Sequence, residues 1–561
     1  MKKLLSLILA LCMVLSLTSV FAEDADWTKE QYAAAADIRT VIARDYTGKT
    51  VLLHSNDVHG QLDGYAYIAG LRDCFQGLGA TVILADVGDF SQGAIYVSAS
   101  KGESAIEMMN AAGYDVVTLG NHEFDYGYEK LMENLSKANF PVICANITLD
   151  ETGESILPPS KVVTTAGGLK IGFFGINTPE TVTKVNPRLI NMISFTTFEK
   201  LYESAQKAID DLKDADVVIG LTHLGVDVES KQNGYRSTDL WSKISGADLL
   251  LDGHSHTVMT AGQNGEPIQS TGTKFEYVGV VVIDDESKAI EDHFLLPTCL
   301  GNSLYTLEAE NVKTHVAAER IIANIDRQYG LTFAKTEVNL NGEKAPGNRT
   351  EETNMGDLIT DAIAWYVLQN GGVEQTEPNA VVAITNGGGI RASIPAGNIS
   401  LKDIVTVTPF GNTISVVYVT GEELLEVLEA STYCNPDPVG GFPQTSGIQW
   451  TLDTTKAYDQ GSIYVQDGKE TSYYAPASIQ RVSIQKINGE DFDPKATYAV
   501  VTNNFCAVGG DTYNVFGRSE STFDTGINLE DAVSAYILAV LGGTVTADTY
   551  GEPQGRMTVI Q

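Results

Sequence analysis

From Thr50 to about Pro297 the chain alternates short apolar runs with helix-length amphipathic stretches, and five of the runs end alike. Val51-Leu52-Leu53 leads to Asp57-Val58-His59, and Val82-Ile83-Leu84 leads to Gly88-Asp89. Val116-Val117-Thr118-Leu119 leads to Gly120-Asn121-His122-Glu123-Phe124-Asp125. Val217-Val218-Ile219-Gly220-Leu221 leads to Thr222-His223, and Leu249-Leu250-Leu251 leads to Gly253-His254-Ser255-His256. Apolar runs this short, bounded by Gly and Asp, predict buried strands. Between them, Glu103 to Ala112, closed by Gly113, and Phe198 to Leu212 predict helices. Alternation of this kind predicts an α/β domain, whose ligands gather beyond the carboxyl ends of its strands.

Around Asn311 to Gln328 one helical stretch carries Ile321, Ile322 and Ile325 on a single face and stops at Gly330, placed to join two domains. Past Leu331 the texture changes. A helix over Met355 to Leu368, a strand at Val381 to Ile384, a Gly-rich turn, a helix over Glu422 to Ala430 and alternating strands such as Arg481 to Ile487 predict a second domain. A length of 561 residues leaves room for both.

Composition adds a compartment and removes some partners. Lys2 and Lys3, the apolar Leu4 to Leu17 and the small-residue site Val20-Phe21-Ala22 predict a secretory signal over 1–22 and an exported mature chain with no transmembrane span. Losing Lys2 and Lys3 takes the formal charge from −35 to −37. That acidity argues against binding nucleic-acid polymers, and an anionic substrate would need local cations. Cys74, Cys144, Cys299, Cys434 and Cys506 are scattered without paired spacing, which predicts buried free thiols.

Five of the eight histidines fall in the strand-end motifs. Two hard cations about 3.5–4 Å apart need a bridging carboxylate and mixed imidazole and oxygen ligands. Asp57 and His59 would hold one ion with His256, while Asn121, His223 and His254 would hold the other. Asp89 would bridge them. Such a ligand set suits Zn, Mn, Fe or Co better than Ca or Mg. His122, beside a ligand, would face substrate. Asp125, three residues on, would keep its imidazole protonated for charge stabilisation and proton donation.

In the second half, Thr385-Asn386-Gly387-Gly388-Gly389-Ile390-Arg391 follows a strand; its glycines permit close backbone approach, and Arg391 could clasp a phosphate. Leu53 to Gly60, Gly88-Asp89, Gly120 to Asp125, Thr222-His223 and Gly253 to His256 resemble the calcineurin-like metallophosphoesterases, and more narrowly the 5′-nucleotidase and UDP-sugar hydrolase family, whose second half this chain also resembles. The resemblance covers nearly the whole mature chain. It implies an α/β (α+β) fold, a two-sheet αββα sandwich at 45–300 followed by a linker helix at 301–335 and a mixed α/β substrate-binding domain at 336–561. It also implies that Phe410 and Phe505 stack on a base, that Asp511 accepts ribose hydroxyls, that Arg349 joins Arg391 on phosphate, and that Asn386 lies near the base.

The expected function is removal of phosphate from nucleoside 5′-monophosphates by attack of a metal-activated water. The same site would serve a UDP-sugar pyrophosphohydrolase or a 2′,3′-cyclic-nucleotide phosphodiesterase. A thiosulfate-ester hydrolase lacks a use for paired aromatics, and a non-catalytic surface binding protein should lack some ligands.

Overall fold

The structure, a computed structural model, describes residues 36, 38–231, 233–298, 310–370, 381–466 and 468–561. The expected signal over 1–22, Cys299 and the first part of the expected linker lie outside those residues. In chain order the first half contains β1 (Lys49–Ser55), α1 (Asp63–Gly77), β2 (Thr81–Asp86), α2 (Glu103–Ala112), β3 (Val116–Thr118) and β4 (Val142–Ile143). Then come β5 (Ser160–Thr164), β6 (Lys170–Asn177), α3 (Glu199–Asp210), β7 (Val217–His223), β8 (Leu249–Asp252), β9 (Val258–Met259) and β10 (Ile268–Thr271). The half ends with β11 (Tyr277–Asp284), β12 (Ala289–Pro297) and α4 (Val312–Tyr329).

Two six-stranded sheets result, ordered β12-β11-β1-β2-β3-β4 and β9-β10-β8-β7-β6-β5. Strands β1 to β4 run parallel to one another, as do β6, β7, β8 and β10, while β11, β5 and β9 pair antiparallel with β1, β6 and β10. The sheets pack face to face through Leu52, Ile83, Phe173, Ile219 and Leu251. Helices α1, α2 and α4 cover the outer face of the first sheet, with Ile68, Met108 and Ile321 against Val51, Leu53 and Leu84. Helix α3 covers the second, with Leu201 and Ile209 against Phe174 and Leu250. Burial on both faces is why these strands read as unbroken apolar runs. Each such side chain contributes about 1.5–3 kcal/mol. The five ligand-bearing runs divide between the sheets, β1, β2 and β3 in one and β7 and β8 in the other, so their carboxyl ends converge from two sides.

Helix α4 lies on α1 and α2: Asn311 donates to Asp73 at 2.7 Å and the Thr314 hydroxyl to the Ala111 carbonyl at 3.1 Å. The second half contains α5 (Asn354–Gln369), β13 (Val381–Asn386), α6 (Leu401–Val407), β14 (Thr413–Thr420), α7 (Gly421–Ala430), β15 (Pro443–Ser446), β16 (Lys469–Pro476), β17 (Thr497–Asn503) and β18 (Thr522–Asn528). Five of these strands form a mixed sheet, β15-β13-β17-β14-β18, between α5 and α7. Because β13 and β17 are adjacent and parallel, the Gly-rich turn after one and Asn504-Phe505 after the other leave the sheet at the same end. Antiparallel β14 starts at that end, which brings in Phe410. Cys144 and Cys506 are buried free thiols and Cys434 is half-buried; Cys74 departs from expectation, exposed on the outer face of α1.

Candidate active site

Backbone geometry marks the site before any side chain is considered. Five of the seven expected metal ligands have positive φ: Asp57 (50°), His59 (47°), Asp89 (62°), His254 (74°) and His256 (58°). Non-glycine residues rarely adopt this region, and such strain collects where a site is held in place by its surroundings. The glycines before the ligands let the loops meet. A Cβ on Gly88 would lie 2.1 Å from the Gly120 nitrogen, and one on Gly120 would lie 2.2 Å from Asp89 Oδ1.

All seven expected ligands come together. Asp57, His59 and His256 offer one group of donor atoms and Asp89, His223 and His254 another, all within 4.8 Å of one another in each group. Asn121 Oδ1 is 2.9 Å from His254 Nδ1. His59 Nδ1 faces the Gln92 carbonyl at 3.0 Å and His223 Nδ1 faces that of Val87 at 2.8 Å. A carbonyl only accepts, so each Nδ1 carries the proton and each Nε2 presents a lone pair. The His59 lone pair meets His256 Nε2 at 3.1 Å; that of His223 is buried without a hydrogen bond, 3.1 Å from Asp89 Oδ2. A buried lone pair held against a carboxylate calls for positive charge between them, so the donor set fits divalent cations. Although burial works against positive charge there, Asp89 and Asp57 push the His223 pKa up to about 10, the same electrostatic pull that draws a cation. Burial and the cationic neighbour Arg391 hold His59 well below its ordinary value.

Sequence reasoning missed the groups that hold these ligands. Glu123, 2 % exposed, accepts from the amides of Asp89 (2.8 Å), Gly120 (2.6 Å), Phe90 (2.9 Å) and Ser91 (3.0 Å), tying two ligand loops to one carboxylate. Asn56 donates to Asp57 Oδ2 at 2.7 Å. Glu180 lies 3.1 Å from His254 Nε2. The signal for Glu180 was present: β6 is a sixth apolar run, ending at Asn177-Thr178-Pro179-Glu180.

His122 and Asp125 pair through Nδ1 and Oδ2 at 2.7 Å. Burial alone would lower the His122 pKa; Asp125 and Asp89 outweigh it and leave it raised. Its ring also forms a third donor group with His59 and Asp89, so proximity alone does not separate ligand from proton donor. On its other side it packs 5.7 Å from the Phe410 ring, facing the second half. Arg391 arrives there as well, with Nη2 3.4 Å from His59 Nε2 and Cζ 5.8 Å from the Phe410 centroid.

One cleft of about 500 Å³ runs between the halves. Asp89, Asn121, His122, Asp125, His254 and His256 line one wall; Arg349, Asn386, Arg391, Phe410, Phe505 and Asp511 line the other. Asp57, His59 and His223 are buried and do not line it. Asn386 donates to Asp511 Oδ2 at 2.8 Å and accepts from Asn503 at 3.0 Å. Lys344, which no motif announced, also lines the cleft and reaches the Ser255 carbonyl at 3.3 Å; burial and Arg349 lower its pKa to about 8.

The calcineurin-like phosphoesterase pattern matches residues 50–258, and that of the 5′-nucleotidase C-terminal domain matches residues 332–518. A trifunctional nucleotide phosphoesterase protein, YfkN, of Bacillus subtilis is 30% identical over 85% of this chain, which spans only 33% of that protein's length. A snake venom 5′-nucleotidase of Gloydius brevicauda is 28% identical over 86% of this chain and 84% of its own. The crystal structure of a 5′-nucleotidase precursor from Thermus thermophilus superposes with a TM-score of 0.74 at 27% identity, covering 91% of this chain and 99% of that one. With a phosphoesterase sandwich and a nucleotidase domain meeting over a cation-seeking cluster, this chain is a metal-dependent phosphoester hydrolase and belongs to the 5′-nucleotidase family.

Proposed function

We propose that the chain is an exported, dinuclear 5′-nucleotidase that removes phosphate from nucleoside 5′-monophosphates, with 45–300 as its metal-binding unit, 301–335 as linker and 336–561 as substrate unit. One observation carries the reading: a single cleft has the ligand cluster on one wall and two arginines, two aromatics and a carboxylate on the other. Asp57, His59 and His256 would hold one cation, Asn121, His223 and His254 the second, and Asp89 would lie between them. When bound, such cations polarise the phosphate and lower the pKa of water.

The chain's own residues supply the rest. Arg391 and Arg349 hold the phosphate, giving an anion a local attraction within a chain of formal charge −35. His122, kept protonated by Asp125, offsets charge growing on the phosphate and hands its proton to the leaving 5′ oxygen. Phe410 and Phe505 take the base, Asn386 its edge and Asp511 the ribose.

Phosphate release from AMP, UDP-glucose, 2′,3′-cyclic AMP and a bis-aryl phosphate tests this, after chelation and after adding back Mn, Co or Zn. Metal-restored turnover led by AMP is the expected result. A lead for UDP-glucose or either diester would transfer the function to that bond, and no metal-restored turnover on any would refute the enzyme reading.

A further inference from the structure

Lys184 ends the short helix Thr181–Lys184, which follows β6 in the first half. Its ammonium reaches the Glu229 carboxylate, the Tyr473 hydroxyl at 2.7 Å and Asp511 Oδ1 at 3.4 Å. Tyr473, on β16, donates to Glu229 Oε1 at 2.5 Å. The Asp511 amide donates to the Thr183 carbonyl at 2.7 Å, a second tie at the same place. Lys184, Glu229 and Asp511 expose 11%, 7% and 4% of their side chains. Lys184 and Glu229 belong to the first half, Tyr473 and Asp511 to the second. None of the four belongs to the metal cluster.

An ammonium has three protons, and here each has an acceptor. Leaving one of those acceptors unpaired in so buried a place is costly, so the network is stable only when the halves are docked. The same contact fixes the direction of Asp511. A carboxylate has about four lone-pair positions; Lys184 takes one on Oδ1 and Asn386 one on Oδ2, leaving one on each oxygen. Gly440 borders that face, where a Cβ would be 3.2 Å from both Lys184 Nζ and Asp511 Oδ1. Two free positions on adjacent oxygens match a pair of vicinal hydroxyls.

We infer that Lys184 is a positioning residue that aims Asp511 at the two hydroxyls of a ribose and makes that recognition depend on docking of the halves. This rests on the nucleotidase reading of the cleft. Ribose selection then belongs to the interface, not to the substrate half alone.

The test compares wild type, K184M and Y473F on AMP and 2′,3′-dideoxy-AMP, and titrates the metal-loaded proteins calorimetrically with adenosine and 2′,3′-dideoxyadenosine. Wild type should favour the ribose compounds by tenfold or more, as expected for loss of hydrogen bonds to a buried charge. In K184M, kcat/KM for AMP should fall about tenfold more than for the dideoxy analogue, mainly through KM, and adenosine affinity should fall in parallel. Y473F, which keeps the ring, should move the same way by a smaller factor. Unchanged ribose preference in both variants, or equal losses on both substrates, would overturn the inference and leave the nucleotidase standing. If wild type itself ignores the hydroxyls, Asp511 is no ribose acceptor, and the ribose assignment and the inference fall together.

Discussion

Glu123→Gln should cost this protein both metal and activity although Glu123 is neither an expected ligand nor a reactive group. Its Oε1 accepts two amides, Phe90 and Ser91, and its Oε2 accepts Asp89 and Gly120. Glutamine keeps one acceptor oxygen and turns the other into an NH₂, which meets two N–H groups head-on. Hydrogen bonds to a charged acceptor contribute about 1.5–3 kcal/mol each, so two lost bonds remove about 3–6 kcal/mol before relaxation. The two survivors, now to a neutral oxygen, weaken by about half. An opposing term exists: burial and Asp89 push the Glu123 carboxyl up to about 7, so neutralising it relieves some strain. The net loss should be about 2–4 kcal/mol, read as a lower Tm. Most of the relaxation will be movement of the Asp89 and Asn121 loops, and a shift of about 1 Å costs on the order of 10²-fold in rate. Elemental analysis after dialysis, kcat/KM on AMP and thermal melting measure the three consequences. An E123Q protein with full metal and kcat/KM within about threefold of wild type would falsify the role given to this carboxylate.

Asp89 lies 3.1 Å from His223 and 3.9 Å from His59 and is the proposed bridge, so in Asp89→Ala metal content and turnover should vanish together; retained activity would remove Asp89 from that role. His122→Ala should lower turnover while the protein keeps its cations by elemental analysis, and loss of one ion would make His122 a ligand. For Asp125→Asn the sign is fixed by the raised His122 pKa: losing the carboxylate lowers that pKa, so protonated His122 disappears at lower pH. The alkaline limb of kcat should move down by about one unit, the usual size of such a charge effect, and an unmoved limb would separate His122 from it. Replacing Phe410 and Phe505 by Ala should raise KM for AMP far more than KM for a small aryl phosphate, since a stacked base is worth about 1–3 kcal/mol; equal effects would leave the rings as packing.

The clustering of the seven expected ligands was legible because each stands at or just past the end of a strand buried on both faces, and such strands declare themselves as apolar runs. Val51 to Leu53 and Leu249 to Leu251 needed no neighbours to be recognised. Which sheet each joined was not legible, since a run buried on both faces carries no record of its partner. Glu123 was visible inside its motif but silent, because its work is done on the amides of Asp89, Phe90 and Ser91, more than thirty residues away. Glu180 follows a run of the same kind, but it adds a carboxylate behind His254 with no histidine beside it and so carries no ligand signature in the sequence.

Contacts between the halves were the least legible, and their chemistry explains why. Lys184 meets Asp511 and Tyr473, Lys402 meets Asp326, Lys469 meets Asp150, and Lys344 meets the Ser255 carbonyl. A lysine in a loop or at the end of a helix or strand has no periodic signature, and in a chain this acidic its partner could be any of 72 carboxylates. These four contacts also differ in weight. Lys402–Asp326 and Lys469–Asp150 are exposed pairs that salt screens and that contribute little. The buried Lys184 network is shielded from that screening and holds its geometry only as a whole. Docking of the halves should therefore depend weakly on ionic strength and strongly on Lys184. Small-angle scattering of wild type and K184M between low and high salt separates the two contributions: a wild-type envelope that opens with salt as far as K184M does at low salt would place the docking energy in the exposed pairs instead.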